Sequence, residues 1–180
     1  RLRSSGKQFH HIADIGTGTG LLAFAALHLW PRAVVTASDI DPVSIDVTRD
    51  NAAANSVPIG CARGRVALYV ATGTDHPAII GRAPFDLLIA NILAGPLVEL
   101  APSFASVVAD GGTLILAGLL NTQVKQVAAA YRRNGFLLLE RRDSGDWPCL
   151  RFVKRRSYGH KRPIRASGRT SQPPGDFGTW

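Results

Sequence analysis

The chain has 180 residues, 46% of them apolar and 19% charged, which is the size and composition of one globular domain with a substantial core. No apolar run reaches the roughly 18 residues that a membrane span needs, and the first residues lack a signal-peptide pattern. Cys61 and Cys149 lie far apart without metal-ligand spacing, and His10-His11 is typical of a strand entry. We therefore expect a cytoplasmic location, with no membrane partner and no metal.

The net charge of +8 is concentrated near the end of the chain. Residues 1–150 hold 13 Lys and Arg against 12 Asp and Glu, whereas residues 151–180 hold 8 against 1. Residues 157–180 are rich in Gly, Pro, Ser and Arg, so we predict one folded domain over residues 1–156 followed by a disordered basic tail. Such a tail can bind RNA phosphates weakly or be a solvated extension without function. The chain has no methionine, so we also expect it to be a piece of a longer protein.

Strand and helix patterns alternate along the body of the chain, which is typical of an α/β domain with a mostly parallel sheet. In chain order, the predicted elements are a strand at His11–Ile15, a helix ending at about Leu29, a strand at Ala33–Ser38, a helix from Pro42 to about Asn55, a strand at about Arg65–Ala71, a helical turn near Ala78–Ile80, a strand at Phe85–Ala90, a helix at about Leu97–Val108, a strand at Thr113–Ala117, a helix at about Thr122–Arg133, and strands at Phe136–Arg142 and Cys149–Lys154.

The last two predicted strands have no helix between them, which predicts an antiparallel hairpin at the end of the sheet. A nicotinamide-dependent dehydrogenase domain ends instead in parallel strand–helix–strand units. The pattern therefore favours the Rossmann-like, doubly wound fold of class I methyltransferases, which ends in a reversed strand.

A glycine-rich loop follows the first strand in the run Asp14-Ile15-Gly16-Thr17-Gly18-Thr19-Gly20. Glycines let the backbone N–H groups approach a ligand closely, and the helix behind them offers unpaired donors with a partial positive charge. Tight strand-to-helix turns also use glycine for structural reasons alone. We predict that Asp14, Gly16, Thr17, Gly18 and Gly20 belong to a cofactor site.

Asp39 ends the second strand, where an acidic residue can accept both ribose hydroxyls of a nucleoside. Because Pro42 suits the first position of a helix, Asp41 is the predicted N-cap, which leaves Asp39 free. Ile40 is predicted either to lie against an adenine ring or to pack in the ordinary way.

Asn91 directly follows the fourth strand, which lies beside the first strand in this topology. A carboxamide has one acceptor and two donors, which suits it to orient an amine for in-line attack on a methyl group. The alternative is a turn residue that satisfies local backbone groups. Because Asn91 would emerge next to the glycine loop, we favour a catalytic role.

Three segments together resemble the PrmA family, whose members methylate protein eleven of the large ribosomal subunit. They are Asp14–Gly20, Ser38–Asn55 and Phe85–Leu120, the last of which contains A-N-I-L-A and A-G-L-L. The resemblance covers about Ile12 to Val153. It implies S-adenosylmethionine as cofactor, contacts to it from the glycine loop, Asp39 and Asn91, and a lysine ε-amine or N-terminal α-amine of a ribosomal protein as methyl acceptor.

The chain also departs from this family in two places. Members have an N-terminal substrate-recognition domain and a segment before the first strand, both of which we expect to be absent here. After the third strand, where an acid usually lies near the adenine, this chain has Ala71-Thr72-Gly73-Thr74 and then Asp75.

Three other functions stay open. A methyltransferase acting on RNA or a small molecule has the same fold, although Asn91-Ile92-Leu93-Ala94 lacks the N-P-P-aromatic motif of adenine-N6 enzymes. A non-catalytic remnant without a working cofactor site is the second. A nicotinamide dehydrogenase is the third, disfavoured by the hairpin and by Asn91.

Overall fold

Seven strands form a single mixed sheet in the computed structural model, which describes residues 6–156. The predicted basic tail at residues 157–180 lies outside the described residues. The strands are β1 (His11–Ile15), β2 (Val34–Asp39), β3 (Arg65–Val70), β4 (Phe85–Asn91), β5 (Val108–Ala117), β6 (Phe136–Ser144) and β7 (Trp147–Lys154). The helices are α1 (Leu21–Leu29), α2 (Pro42–Ala54), α3 (Pro77–Ile80), α4 (Ala94–Glu99), α5 (Ala101–Val107) and α6 (Val124–Arg133), with a 3₁₀ turn at Asn121–Gln123.

The strand order is β3-β2-β1-β4-β5-β7-β6. β7 pairs antiparallel with both β5 and β6, and the other neighbouring strands pair parallel. This order confirms the doubly wound α/β fold, the terminal hairpin and the placement of the fourth strand beside the first. Because β1, β2, β4 and β5 run in the same direction, their carboxyl ends meet at one edge of the sheet. In open α/β sheets ligands bind at this edge.

Apolar side chains cover both faces of the sheet. On one face, α1 packs against β1 and β2 through residues such as Ala23, Ile12 and Val35. On the other face, α3 to α6 contribute to a larger cluster that includes the fully buried Phe104 and Tyr131. When both faces of a strand are covered, nearly all of its side chains are shielded from water, which accounts for the continuous apolar run in β4. Within the described residues, no helix is long and apolar enough to cross a membrane.

The predicted helix at Leu97–Val108 is wrong as a single element. The structure has two shorter helices, α4 and α5, which meet at Leu100. Pro102 lies in the first turn of α5, where its missing N–H group costs nothing, but in the middle of a longer helix it would remove a hydrogen bond and clash with the preceding turn.

The predicted start of the fifth strand is also wrong, because β5 begins at Val108 rather than Thr113. Val108 pairs with Phe85 while Thr113 pairs with Leu87, so the pairing of β5 with β4 is irregular between these two pairs. Gly111 in this irregular segment has a φ of 75°, which a glycine adopts without strain. The Asp110-Gly111-Gly112 stop signal therefore marks an irregularity inside a strand.

Boundaries before α6 and in the terminal hairpin also differ from the prediction. Residues 121–123 form a 3₁₀ turn before α6 begins at Val124, where a regular helix start was expected at Thr122. In the hairpin, β6 extends to Ser144 and β7 begins at Trp147, so only Gly145-Asp146 connect them. Cross-strand pairing extends the ladder through polar residues that local sequence patterns assign to a loop.

Candidate active site

The glycine loop connects β1 to α1 at the carboxyl edge of the sheet. Gly16, Gly18 and Gly20 have φ values of 75°, 58° and 84°, a region that other residues rarely adopt. At Gly18 an added Cβ would meet no atom within 4 Å, so this side of the loop is open. At Gly20 it would lie 2.6 Å from Phe24 and 2.8 Å from Thr48. Gly18 thus faces free space, whereas Gly20 allows α1 and α2 to pack closely.

Neighbouring elements hold the loop in place through hydrogen bonds. The N–H groups of Gly16 and Thr17 donate to the Ser38 carbonyl oxygen of β2 at 2.8 and 2.9 Å. From α2, the Thr48 hydroxyl donates to the Gly18 carbonyl at 2.8 Å, and the Asn51 side-chain amide donates to the Thr19 carbonyl at 3.0 Å. Sequence reasoning missed Thr48 and Asn51. The signal available was their spacing on the predicted second helix, which places both on nearly the same face.

Asp39 ends β2 beside the loop, as predicted, but its carboxylate is not free. Oδ2 accepts the Gly18 N–H at 2.9 Å, and Oδ1 accepts the Asp41 N–H at 3.1 Å. Asp41 caps α2, because its own carboxylate accepts the Val43 N–H at 2.9 Å. Asp39 therefore joins the glycine loop to the start of α2. Each of its oxygens keeps a second acceptor site for a ligand.

Ile40 follows Asp39 and keeps 67% of its side chain exposed, so it does not pack in the core. Val43, at the start of α2, is 63% exposed. Two exposed apolar side chains next to the loop offer a surface for a flat aromatic ring. The contact of Ile40 with adenine stays a prediction.

Asp14 is buried beneath the loop, with 1% of its surface exposed. Oδ2 accepts the Thr17 hydroxyl at 2.8 Å, while Oδ1 has no hydrogen-bond partner of standard geometry within residues 6–156. Burial raises the pKa of this carboxyl from 3.8 to about 6, and the nearby Asp39 adds a smaller upward effect. The Thr17 hydroxyl and the Ala23 amide act in the opposite direction. A cationic ligand beside this carboxyl would favour its charged form and counteract the effect of burial on its pKa.

Asn91 is the last residue of β4 rather than the first residue after it, and it pairs with Ala117 of β5. Ile15 pairs with Ala90, so the chain leaves β4 directly beside the start of the glycine loop. The Asn91 side chain is exposed and makes no hydrogen bond to the described part of the chain. A residue that satisfies local backbone groups would make one, so the carboxamide is available to a ligand.

The segment after β3 places no acidic side chain in a protected position. Thr74 is buried, whereas Asp75 is exposed. The neighbouring His76 accepts the Ala78 N–H through Nδ1 and thereby caps α3. The structure does not assign Asp75 to the site.

The carboxyl edge thus brings together the glycine loop, an acidic residue at the end of β2 and, at the end of β4, a carboxamide without a hydrogen bond to residues 6–156. No group of three or more His, Cys, Asp or Glu side chains among residues 6–156 is arranged to hold a metal ion. A family described as ribosomal protein L11 methyltransferase (PrmA) matches residues 1–155. The chain belongs to the PrmA family. The match confirms the resemblance found in the sequence.

Curated relatives from the PrmA family support this assignment. The chain is 39% identical over 144 residues to a ribosomal protein L11 methyltransferase from Caulobacter sp. (strain K31), a match that covers 80% of the chain and 47% of the relative. It is 43% identical over 122 residues to a protein of the same description from Brucella suis, covering 68% of the chain and 41% of the relative. The matched region thus spans less than half the length of these relatives.

Solved structures agree with the assigned fold. The ribosomal protein L11 methylase from Lactobacillus delbrueckii subsp. bulgaricus is 32% identical, with a TM-score of 0.71 over 85% of this chain and 73% of that one. A methyltransferase from Pyrococcus furiosus is 19% identical, with a TM-score of 0.68 over 86% of this chain and 79% of that one, and shows the shared fold alone. The roles of the individual site residues stay predictions within the PrmA family.

Proposed function

We propose that this chain is an S-adenosylmethionine-dependent N-methyltransferase domain that transfers methyl groups to amines of ribosomal protein L11. The observation that supports this most strongly is the juxtaposition of the glycine loop, Asp39 and the free carboxamide of Asn91 at one sheet edge of a PrmA-family chain. A ribosomal-protein substrate would also place the chain in the cytoplasm.

The residues at this edge fit the chemical groups of the cofactor. Asp39 would accept the ribose hydroxyls, and the exposed Ile40 would lie against the adenine ring. The open side at Gly18 leaves room for the cofactor next to the loop. Asp14 would stabilise the positive charges of the sulfonium and ammonium groups from beneath the loop, where its Oδ1 has no hydrogen-bond partner of standard geometry within the described residues. α1 has no acidic residue in its first turn and no side-chain cap, so its amide groups suit the carboxylate of the methionine moiety.

When bound, S-adenosylmethionine supplies both the activated methyl group and its own leaving group. The protein then has to align a neutral amine with the methyl carbon and exclude water. A free lysine amine has a pKa of about 10.4, so nearly all of it is protonated at neutral pH. The Asn91 carboxamide oxygen accepts a hydrogen bond from the amine and orients its lone pair towards the methyl carbon. Partial desolvation of the substrate amine at this edge favours its neutral form, and the proton that it loses passes to solvent before the methyl group is transferred.

The proposal is tested by incubating the chain with S-adenosylmethionine and purified ribosomal protein L11, and by measuring methylated lysine and N-terminal residues with mass spectrometry. We expect methyl transfer by the wild type. Asn91→Ala should reduce kcat about 10²-fold and leave the Kd for the cofactor within about threefold, because Asn91 acts on the amine.

Asn55→Ala is the matched control, since Asn55 is exposed at the end of α2 and its side chain bonds only within that helix in the described structure. Its kcat should equal that of the wild type. Cofactor binding without methylation of any L11 amine would reject L11 as the substrate of this chain. Equal losses of kcat and cofactor affinity in Asn91→Ala would contradict the catalytic role.

A further inference from the structure

The segment Ala117-Gly118-Leu119-Leu120 follows the A-N-I-L-A motif in the sequence pattern but has no role in the site described above. Gly118 comes directly after β5 and has a φ of 82°. Ala117 pairs with Asn91, so Gly118 lies beside Ile92, the residue that follows the proposed catalytic carboxamide. Leu119 has no exposed surface and anchors the segment in the core.

Gly118 is in close contact with the main chain of Ile92. A Cβ added at Gly118 would lie 2.5 Å from the Ile92 carbonyl oxygen, 2.8 Å from its nitrogen and 2.9 Å from its carbonyl carbon. All three atoms belong to the backbone, so no change of side-chain rotamer relieves the overlap. Because Leu119 is fully buried, moving the β5 segment away would disturb the core, so we expect the Ile92 backbone to shift instead.

Ile92 is packed from the opposite side by the glycine loop. A Cβ added at Gly16 would lie 2.2 Å from Ile92 Cγ2, the methyl group attached directly to its β-carbon. The residue after Asn91 is therefore held between the end of β1 and the end of β5. Both contacts need a glycine, but the contact at Gly16 involves a side chain and that at Gly118 involves the backbone.

We propose that Gly118 is a positioning residue for Asn91. Its lack of a side chain lets the Ile92 backbone pack against the end of β5, which sets the position of the neighbouring Asn91 carboxamide relative to the glycine loop. This inference rests on the proposed function, because it assigns a catalytic consequence to the position of Asn91. It gives the A-G-L-L segment a role in methyl transfer without contact with the cofactor or the substrate.

Gly118→Ala tests the proposal. Contacts of a real Cβ are essentially never shorter than 3.0 Å, so the Ile92 carbonyl oxygen, at 2.5 Å, has to move by about 0.5 Å or more. Since a misplacement of about 1 Å can lower turnover about 10²-fold, we expect kcat to fall about 10- to 100-fold. The Kd for S-adenosylmethionine should rise less than kcat falls, because the shift begins at Ile92 and reaches the glycine loop only through the side-chain contact with Gly16.

Gly135→Ala is the matched control for backbone strain. Gly135 has a φ of 85°, and a Cβ there would meet no atom within 4 Å. Its loss of stability should resemble the purely conformational part of the effect at Gly118, while its kcat stays at the wild-type value. Gly118→Asn is the second variant, because asparagine tolerates positive φ better than alanine but carries the same Cβ. A clash with Ile92 predicts a low kcat for both Gly118 variants. If Gly118→Ala is too unstable to assay, Gly118→Asn supplies the test.

An Ile92→Ala background separates the two glycine contacts. Removing Cγ2 should partly restore the kcat of Gly16→Ala, but it should not restore that of Gly118→Ala, whose clash is with the backbone. If kcat is restored in both variants, the loss of kcat at Gly118 does not come from the overlap with the Ile92 backbone, and the proposal is overturned.

Amide spectra of ¹⁵N-labelled protein supply a readout that is independent of activity. Gly118→Ala should shift the Asn91 and Ile92 signals, and Gly135→Ala should not. If the wild type transfers no methyl group but these signals shift, the proposed function fails while the packing role of Gly118 is supported. If the wild type is active and Gly118→Ala keeps its kcat and its Asn91 and Ile92 signals, the positioning role is overturned.

Discussion

Replacing Asp39 by alanine should weaken cofactor binding more than it weakens the fold. The carboxylate accepts the Gly18 N–H at 2.9 Å and the Asp41 N–H at 3.1 Å, so it links the glycine loop to the start of α2. In Asp39→Ala both N–H groups lose their acceptor. Because the site is partly exposed, water can accept both hydrogen bonds in the ligand-free protein, and the loss of folding stability stays small.

The cost to ligand binding is larger. The proposed ribose contact provides hydrogen bonds to a charged acceptor, which contribute about 1.5–3 kcal/mol. Their loss corresponds to a Kd that rises about 10- to 140-fold, since 1.4 kcal/mol is a factor of ten. Asp39→Asn keeps one acceptor oxygen, so its Kd should lie between those of the wild type and Asp39→Ala.

Isothermal titration calorimetry with S-adenosylmethionine measures these constants directly. Asp46→Ala is the control, because Asp46 forms an ion pair with Arg49 on α2 but its side chain is 71% exposed. Such an exposed ion pair contributes little to stability, so this variant should bind S-adenosylmethionine with the Kd of the wild type. A wild-type Kd for a folded Asp39→Ala would refute the assignment of Asp39 to the ribose.

Two further predictions concern buried polar groups. Folding raises the pKa of Asp14 from 3.8 to about 6. Between these two pH values the folded protein holds a proton that the unfolded chain has lost. The free energy of unfolding should therefore fall by about 3 kcal/mol as the pH rises through this window. Urea denaturation at pH 4 and pH 7 should show this fall in the wild type but not in Asp14→Asn. Equal pH dependence of stability in both proteins would contradict the raised pKa of Asp14. Tyr131 is fully buried, and its hydroxyl has no hydrogen-bond partner among residues 6–156, so Tyr131→Phe should keep or raise the melting temperature, with a gain of up to about 1–3 kcal/mol. A clear loss of stability in calorimetry would reveal a partner for the hydroxyl.

The sequence alone determined the features that depend on neighbouring residues. The glycine run predicts a strand-to-helix loop because only glycine adopts its positive φ values readily. Asp41-Pro42 predicts the start of α2 because both the cap and the first helical position are local. The absence of a helix between the last two strands predicts the hairpin that distinguishes this fold from a dehydrogenase domain. Pro102 is also a local signal, and it accounts for the break between α4 and α5 that a single predicted helix overlooked.

Only the tertiary structure decided how the carboxyl edge of the sheet is assembled. The Gly18 N–H bonds to Asp39, 21 residues away, and the Thr48 hydroxyl bonds to the Gly18 carbonyl, 30 residues away. The close approach of Gly118 to the Ile92 backbone likewise joins the ends of two strands. Such contacts depend on the register of the strands and on how closely the helices pack, neither of which the local periodicity of the chain encodes. Chemical types at the site follow from the sequence, but their partners and positions follow from the packed fold.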